Sequence, residues 1–464
     1  MQSATHTTID IDAARNAVRG TVIGPGDPAW TDTTKIFYEF AAQQSGLVVQ
    51  PCDAEDVAAA IRFARDAGLP VAVRSGGHSV SGHGTVTGGL VIDLCRLDSL
   101  DIDVAARTAT AGAGITAGEY TTEAGKHGLA TGFGDTGSVG IGGLTTGGGV
   151  GFLSRKHGLT IDNLISAQVV TADGTIHEVD AEHEPDLFWA IRGGGGNVGI
   201  VTRFTFRLHE VPQIVGGMLI LPATADTVAE FVRLACEAPD DLGTIAAVMS
   251  APPMPFIPEA ARGQVVIFAL MAYAGAPEDA AGVLAPFRAI ATPVADLLAP
   301  MPYSGLFPPD ESGFRPIATS VTGFATGFGR DIAQTALDAL SEARTRPGVQ
   351  MAVVQLRPLG GAISRVAPDA TAFAHRDRPI MFNVAAMVGD VAELEGQRGW
   401  VAELAAAIAD GTPGAYVGFS MADDEEQVHA IYPGATYARL AAIKCRYDPE
   451  NIFHRNHNVP PAGD

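Results

Sequence analysis

The sequence predicts an α+β protein of two or more domains, and three observations carry that prediction. Its 464 residues exceed what one ordinary core holds together. Strand-like and helix-like segments alternate with tight joins from residue 46 onward. The texture then changes after Pro212: glycine clusters crowd residues 74–89, 132–151 and 193–199 and thin out beyond them.

The elements follow in order. GLVVQP (46–51) has the apolar run of a short strand. Asp53 caps AEDVAAAIRFARDAG, whose apolar residues recur at helical spacing until Gly68 stops the helix. LPVAVRSGG is the next strand. LVIDLCRLDSLDIDVAARTATAGAG (90–114) alternates as hairpin strands do, and TAGEYTTEAGKHG (116–128) is a helix ended by Gly128. LISAQVVTADGTIHEVD (164–180) predicts a hairpin turning at Asp173-Gly174. Residues 185–212 give a short helix, a glycine loop and a strand. From 213 to 424, β-like runs (VVIFALMAYA, VQMAVVQLRP, IMFNVAAMV) alternate with amphipathic helices, and the Pro-rich APPMPFIPEAARG (251–263) is a candidate rim or lid. YARLAAIKCRYDPENIF closes the chain as a helix ended by Asp448-Pro449, followed by an extended tail.

Composition excludes several classes. With 30 Lys+Arg against 52 Asp+Glu, the net charge of −22 disfavours nucleic acid and anionic membranes as partners. Cys52, Cys95, Cys236 and Cys445 are far apart and predict neither a disulfide framework nor a zinc cluster. The N-terminal segment has no apolar core of a signal peptide, and no uninterrupted run of 18 apolar residues predicts a membrane span. A soluble cytoplasmic protein is the expectation.

Three cofactor readings compete for the glycine clusters. RGGGGNVG is followed by a β-run, and GFGDTGSVGIGG lacks a preceding strand, so neither fits a dinucleotide-binding turn. No P-loop pattern occurs. Separate glycine loops that jointly wrap one long ligand remain, with backbone N–H groups cradling a diphosphate. Glycine-rich turns in a β-rich domain are the alternative that binds nothing.

Four segments, in order, carry a resemblance: PVAVRSGGHSVSGHG (70–84), GLTTGGGVGFLSRKHGLTIDNL (143–164), DLFWAIRGGGGNVGIVTRF (186–204) and YARLAAIKCRYDPENIFHRNHNVPP (437–461). They resemble the FAD-linked oxidases of the PCMH-type, or vanillyl-alcohol-oxidase-like, fold that includes berberine bridge enzyme, with bacterial monocovalent members of 6-hydroxynicotine-oxidase type nearest. LRPLGGAISRVAPDATAFAHRD (356–377) extends the resemblance weakly through the middle. The resemblance implies a two-part FAD-binding domain, residues 1–210 and 425–464, with an α+β substrate domain, 211–424, inserted between them.

By the same resemblance, His78 bonds to the flavin 8α-methyl, a link that helps the flavin accept hydride, while His83 has no role in the pattern. Relatives with a second link carry a cysteine where this chain has Thr136, so FAD is expected to be bound through His78 only. A smaller or flatter substrate is implied. Arg74, Ser75, Gly76, Gly77 and Ser79 are implied near the diphosphate. Thr136, Gly137, Val139, Gly140, Gly142, Gly143, Gly147, Gly148 and Gly149 wrap the diphosphate and ribityl chain. Asp162 and Asn163 order their loop, Gly199 and Val201 lie toward the adenine, and Asn456 and Asn458 approach the flavin edge.

The catalytic base is the open point. The two positions where relatives carry a proton acceptor are Gln355 and Phe419 here, and neither takes a proton at neutral pH. Both shape the site in this reading, and Gln355, if buried, must bond something. Tyr416, Arg357, His375 and Tyr432 are the substitutes considered, and a neutral amine needs no base. The implied activity is an oxidase that transfers hydride from a small or aromatic alcohol or amine to FAD and then to O2, giving H2O2. A dehydrogenase with another acceptor, and a flavin binder of weak turnover, stand as alternatives. Phe268, Tyr303 and Phe373 are candidate aromatic contacts for the substrate. Monomer and homodimer stay open.

Overall fold

Residues 9–39, 45–308 and 313–463 are described by the structure, a computed structural model. Strands β1 (Thr21–Ile23), β2 (Leu47–Gln50), β3 (Val71–Arg74) and β4 (Leu90–Asp93) form a first sheet in the order β1-β2-β4-β3. Helix α1 (Ala54–Asp66) connects β2 to β3; the Asp53 side chain accepts the Asp56 N–H at its start, as the sequence predicts. Here one expectation is corrected. The run LVID at 90–93 belongs to no hairpin; β4 lies parallel to both β2 and β3, and all four of its residues are buried. A strand covered on both faces loses the alternation that distinguishes the two sheets.

A second sheet contains β5 (Leu100–Asp103), β6 (Thr108–Gly112), β7 (Leu164–Val170), β8 (Ile176–Asp180) and β9 (Ile200–Arg207), ordered β5-β6-β9-β7-β8. The predicted hairpin is β7–β8, with the Gly174 turn residue at φ 81°. One core joins both sheets through Val57 and Ile61 of α1, Ile92, Ala111, Val169 and Phe204. Helix α2 (Ala117–Gly125) starts with a reciprocal Thr116–Glu119 cap. Leu440 and Ile443 of the C-terminal helix, Ala435–Tyr447, join the same core, as do Phe453 and Val459 after it. The end of the chain therefore packs with its beginning.

Eight strands form the third sheet. They are β10 (Ile214–Pro222), β11 (Leu242–Ser250), β12 (Val265–Tyr273), β13 (Ala295–Asp296), β14 (Ala299–Met301), β15 (Ile317–Ala325), β16 (Val349–Pro358) and β17 (Ile380–Val388). Their order is β13-β10-β12-β11-β16-β17-β15, with β14 also on β10. Alternate residues face opposite sides of a strand. In β16, Val354 and Leu356 enter a core made with helices Ala225–Glu237, Arg330–Ala343 and Glu395–Ala409. Gln355 and Arg357 therefore point the other way, toward the glycine-rich half. On that side Phe324 and Met381 pack with Val150, Leu159 and Ile161.

The Pro-rich segment 251–263 is no rim. Ala251 and Ile257 are buried against Ile220 and Val266, with Met254 and Phe256 beside them. Its apolar residues serve local packing on the sheet. Among the described residues, no helix is long and apolar enough to cross a membrane.

Candidate active site

A cavity of about 600 Å³ opens between the glycine-rich half and the third sheet. The loop after β3, residues 135–147, the turn 195–201 and the C-terminal segment 453–457 contribute to its wall. The first two come within backbone contact. A Cβ on Gly76 would lie 2.2 Å from the Gly140 nitrogen, and one on Gly140 would lie 2.1 Å from Ser75 Oγ. Only glycine permits this approach. The Ser75 hydroxyl donates to the Ala113 carbonyl at 2.6 Å and fixes the loop.

Most of the residues expected to hold the cofactor meet here. Arg74, Ser75, Gly76, Gly77, His78, Ser79, Thr136, Val139, Gly140, Gly142, Gly143, Gly147, Gly199, Val201 and Asn456 all line the cavity. The others lie one layer behind it. Gly137 sits beside Phe307, and Gly148 beside Phe373. The Gly149 N–H donates to the Tyr416 hydroxyl. Asn163 donates to the carbonyls of His157 and Leu159 within its own loop. Asn458 accepts from the buried Lys444. Arg74 touches the cavity, but its guanidinium is committed elsewhere: it pairs with Asp93 at 2.6 Å and donates to the Thr33 carbonyl.

His78 is stacked on Phe37, with ring centroids 4.0 Å apart and planes 21° apart. The Phe37 N–H donates to the Gly77 carbonyl, which holds the aromatic ring on the loop. His83 lies in the same wall, where its Nε2 meets both oxygens of Asp423 at 3.0 Å.

The substrate side departs from the sequence reading. Gln355 and Arg357 are not in the wall; Gln355 is half-buried, and its Oε1 accepts from Arg357 Nη2 at 2.8 Å. Arg357 also donates to Asp135, and its guanidinium lies 4.9 Å from the centre of the Phe419 ring. Asp135 does line the cavity, and among the described lining residues it is the one carboxylate. Burial, reinforced by the Asp135 charge, pushes the Tyr38 hydroxyl up to about 12. Phe419, Tyr416 and Tyr432 line the wall; burial raises both tyrosines above their ordinary value, so neither is a base at neutral pH. His375 is away from the cavity, buried, with Nε2 bonded to the Ala430 and Ile431 carbonyls. Phe268, Tyr303 and Phe373 also lie outside it; Tyr303 and Phe373 are buried in apolar cores, and the partly buried Phe268 packs against another. The aromatic residues of the wall are instead Phe37, Tyr38, Phe314, Tyr416, Phe419, Tyr432 and Phe453.

Sequence reasoning missed Asp135, Phe37, Tyr38 and Arg455. Asp135 adjoins Thr136 in GFGDTG, and Phe37-Tyr38 lie in the aromatic run KIFYEF, so a local signal existed for each. Arg455 donates to the Gly82 and Thr85 carbonyls and forms no ion pair among the described residues.

The donor set fits a flavin dinucleotide. Asn456 Oδ1 and Arg455 Nε are buried at the cavity without a protein partner. Buried polar atoms of this kind require a ligand or water.

Comparison with known proteins agrees. A family model described as FAD binding domain matches residues 45–180, and one described as berberine and berberine like matches residues 415–460. The chain is 31% identical to (R)-6-hydroxynicotine oxidase of Paenarthrobacter nicotinovorans, over 96% of this chain and 98% of that protein. It is 31% identical to the FAD-linked oxidoreductase sorD of Penicillium rubens, over 89% and 90% respectively. The crystal structure of 6-hydroxy-D-nicotine oxidase from Arthrobacter nicotinovorans matches with a TM-score of 0.85 at 28% identity, covering 96% of this chain and 98% of that one. Glucooligosaccharide oxidase from Acremonium strictum shares the fold, with a TM-score of 0.85 at 24% identity over 98% of this chain and 100% of that one. With a glycine-lined cavity, a two-part core and these relatives, the chain belongs to the FAD-linked oxidoreductases that combine a PCMH-type FAD-binding domain with a berberine-bridge-enzyme-like C-terminal segment.

Proposed function

We propose that the protein is an FAD-dependent oxidase that takes hydride from a small or aromatic alcohol or amine and passes the electrons to O2, giving H2O2, with the flavin tethered through His78 alone. The observation that carries this reading is the placement of His78 and Asp135 in the wall of one cavity. FAD supplies the two-electron acceptor when bound. The chain's own groups do the rest.

His78 is the wall histidine that continues the Ser75–Gly77 backbone. In the glucooligosaccharide oxidase of Acremonium strictum, FAD is held through both a cysteinyl and a histidyl link. Thr136 stands where a cysteine would be needed for the second link, and the free cysteines are at 52, 95, 236 and 445. Asp135 supports the proton transfer. As a substrate C–H bond breaks, an alcohol O–H or ammonium N–H proton has to leave, and Asp135 is the carboxylate in reach of the cavity. Arg357 holds that carboxylate in place, itself oriented by Gln355. The aromatic wall suits a flat or aromatic substrate body.

The test is peroxide release from the purified protein against a panel of amines, secondary alcohols and phenols. Peptide mass mapping reads the tether. An FAD mass on a peptide lacking His78 sinks the attachment, and absence of peroxide across the panel with flavin reduced by the same compounds points to another acceptor.

A further inference from the structure

Three side chains from three distant segments meet at the edge of the cavity. His83 ends the loop that also carries His78. Asp423 follows the segment 416–420. His457 lies in the C-terminal HRNHN. His83 Nε2 is 3.0 Å from each carboxylate oxygen of Asp423, and His457 Nδ1 is 3.1 Å from Asp423 Oδ1. All three ligand atoms lie within 4.8 Å of one another. The imidazole rings cross edge to face with centroids 5.0 Å apart. The Ser81 hydroxyl donates to the Ser420 carbonyl in the same junction.

Asp423 is the shared partner of both imidazoles. His457 is 4% exposed, and its Nδ1 is directed at the Asp423 carboxylate. Two imidazoles and one carboxylate form a donor set for zinc, whose bonds of about 2.0–2.1 Å place neighbouring ligand atoms about 3.3 Å apart. The observed N···O separations are close to that edge. Calcium and magnesium require oxygen donors and are not suited.

We propose that His83, Asp423 and His457 form a zinc site that clamps the His78 loop to the C-terminal segment. His83 and His457 line the cavity and Asp423 does not, so a fourth ligand position faces the cavity side. The clamp goes beyond the oxidase reading and does not depend on it.

The experiment uses tag-free protein as purified, stripped by dialysis against a chelator and titrated with ZnCl2 by calorimetry, with FAD content read by absorbance on the same samples. One equivalent is expected, together with a rise in Tm. Asp423→Asn and His457→Gln are expected to weaken zinc by more than the roughly 10–100-fold that even supporting contacts cost. Asp423 is 45% exposed, so its variant carries the test if the buried His457 variant does not fold. No saturable binding overturns the proposal. So does binding of equal strength in the variants, which would move the zinc to another group such as Cys52, Asp53 and Asp56. A chain that binds one zinc but no FAD overturns the oxidase reading and leaves the clamp standing.

Discussion

Arg357 and Asp135 pair at 2.5 Å although 222 residues separate them in the chain. The pair ties strand β16 of the third sheet to the glycine-rich loop and sets a carboxylate at the cavity. Arg357 is 5% exposed and Asp135 19%. Asp135→Asn keeps the size and an oxygen for Arg357 but removes the proton acceptor. Flavin reduction by an alcohol substrate is expected to fall by about 10²–10⁴-fold, with FAD content unchanged. Anaerobic stopped-flow with a compound identified by peroxide release measures it. An unchanged rate removes Asp135 from the chemistry.

The stack of Phe37 on His78 predicts a second effect. His78→Ala should release the flavin into the supernatant on acid precipitation, where the native chain keeps its colour in the pellet. Phe37→Ala removes the surface that fixes the imidazole plane and should lower the covalent fraction while noncovalent FAD still binds. Equal covalent fractions in Phe37→Ala and the native chain would show that the ring plane does not matter.

Local patterns in the sequence carried much of the fold. Caps such as Asp53 and the Asp173-Gly174 turn are decided within a few residues, and the structure has both. The loops around His78 and Gly140 were legible because close backbone approach requires glycine at fixed positions. What escaped depends on contacts distant in sequence. β4 has an apolar run whose parallel partners no local pattern reveals. The segment 251–263 has the composition of a lid, yet its side chains Ile257 and Met254 find an apolar face to cover. At the substrate side, Gln355 and Phe419 leave the sequence without an evident base. The carboxylate proposed to serve instead, Asp135, acquires meaning only when β16 brings Arg357 against it.

Arg74 and Asp93 form a buried pair, with side chains 7% and 6% exposed. Asp93 also accepts from Gln50 and from the Cys95 N–H. Removing one partner leaves the other charge uncompensated. Asp93→Ala is expected to cost about 3–5 kcal/mol of stability, read by denaturant unfolding, and to lower FAD content because Arg74 braces the loop before His78. A double change of Arg74→Met and Asp93→Leu should cost less than the single one. A single variant as stable as the native chain would show that the pair is solvated.

The stacked histidines His157 and His209, 3.8 Å between centroids, predict an acid limb of stability. Burial, with the neighbouring charges of His209 and Lys156 adding to it, pushes His157 down to about 3 from an ordinary 6.5. Burial lowers His209 as well. Between pH 6.5 and 3 the unfolded chain therefore binds protons that the folded chain refuses, and stability rises with pH across that window. The contribution is complete above pH 6.5 and is lost as pH falls toward 3. Tm measured from about pH 8 to about 4.5, where most carboxylates stay ionised, should drop on acidification in the native chain. His157→Gln, which removes the titrating ring, should give a shallower drop. If the two profiles run parallel, His157 takes up its proton in the fold as readily as in the unfolded chain, and the stacked pair is not the source of the acid limb.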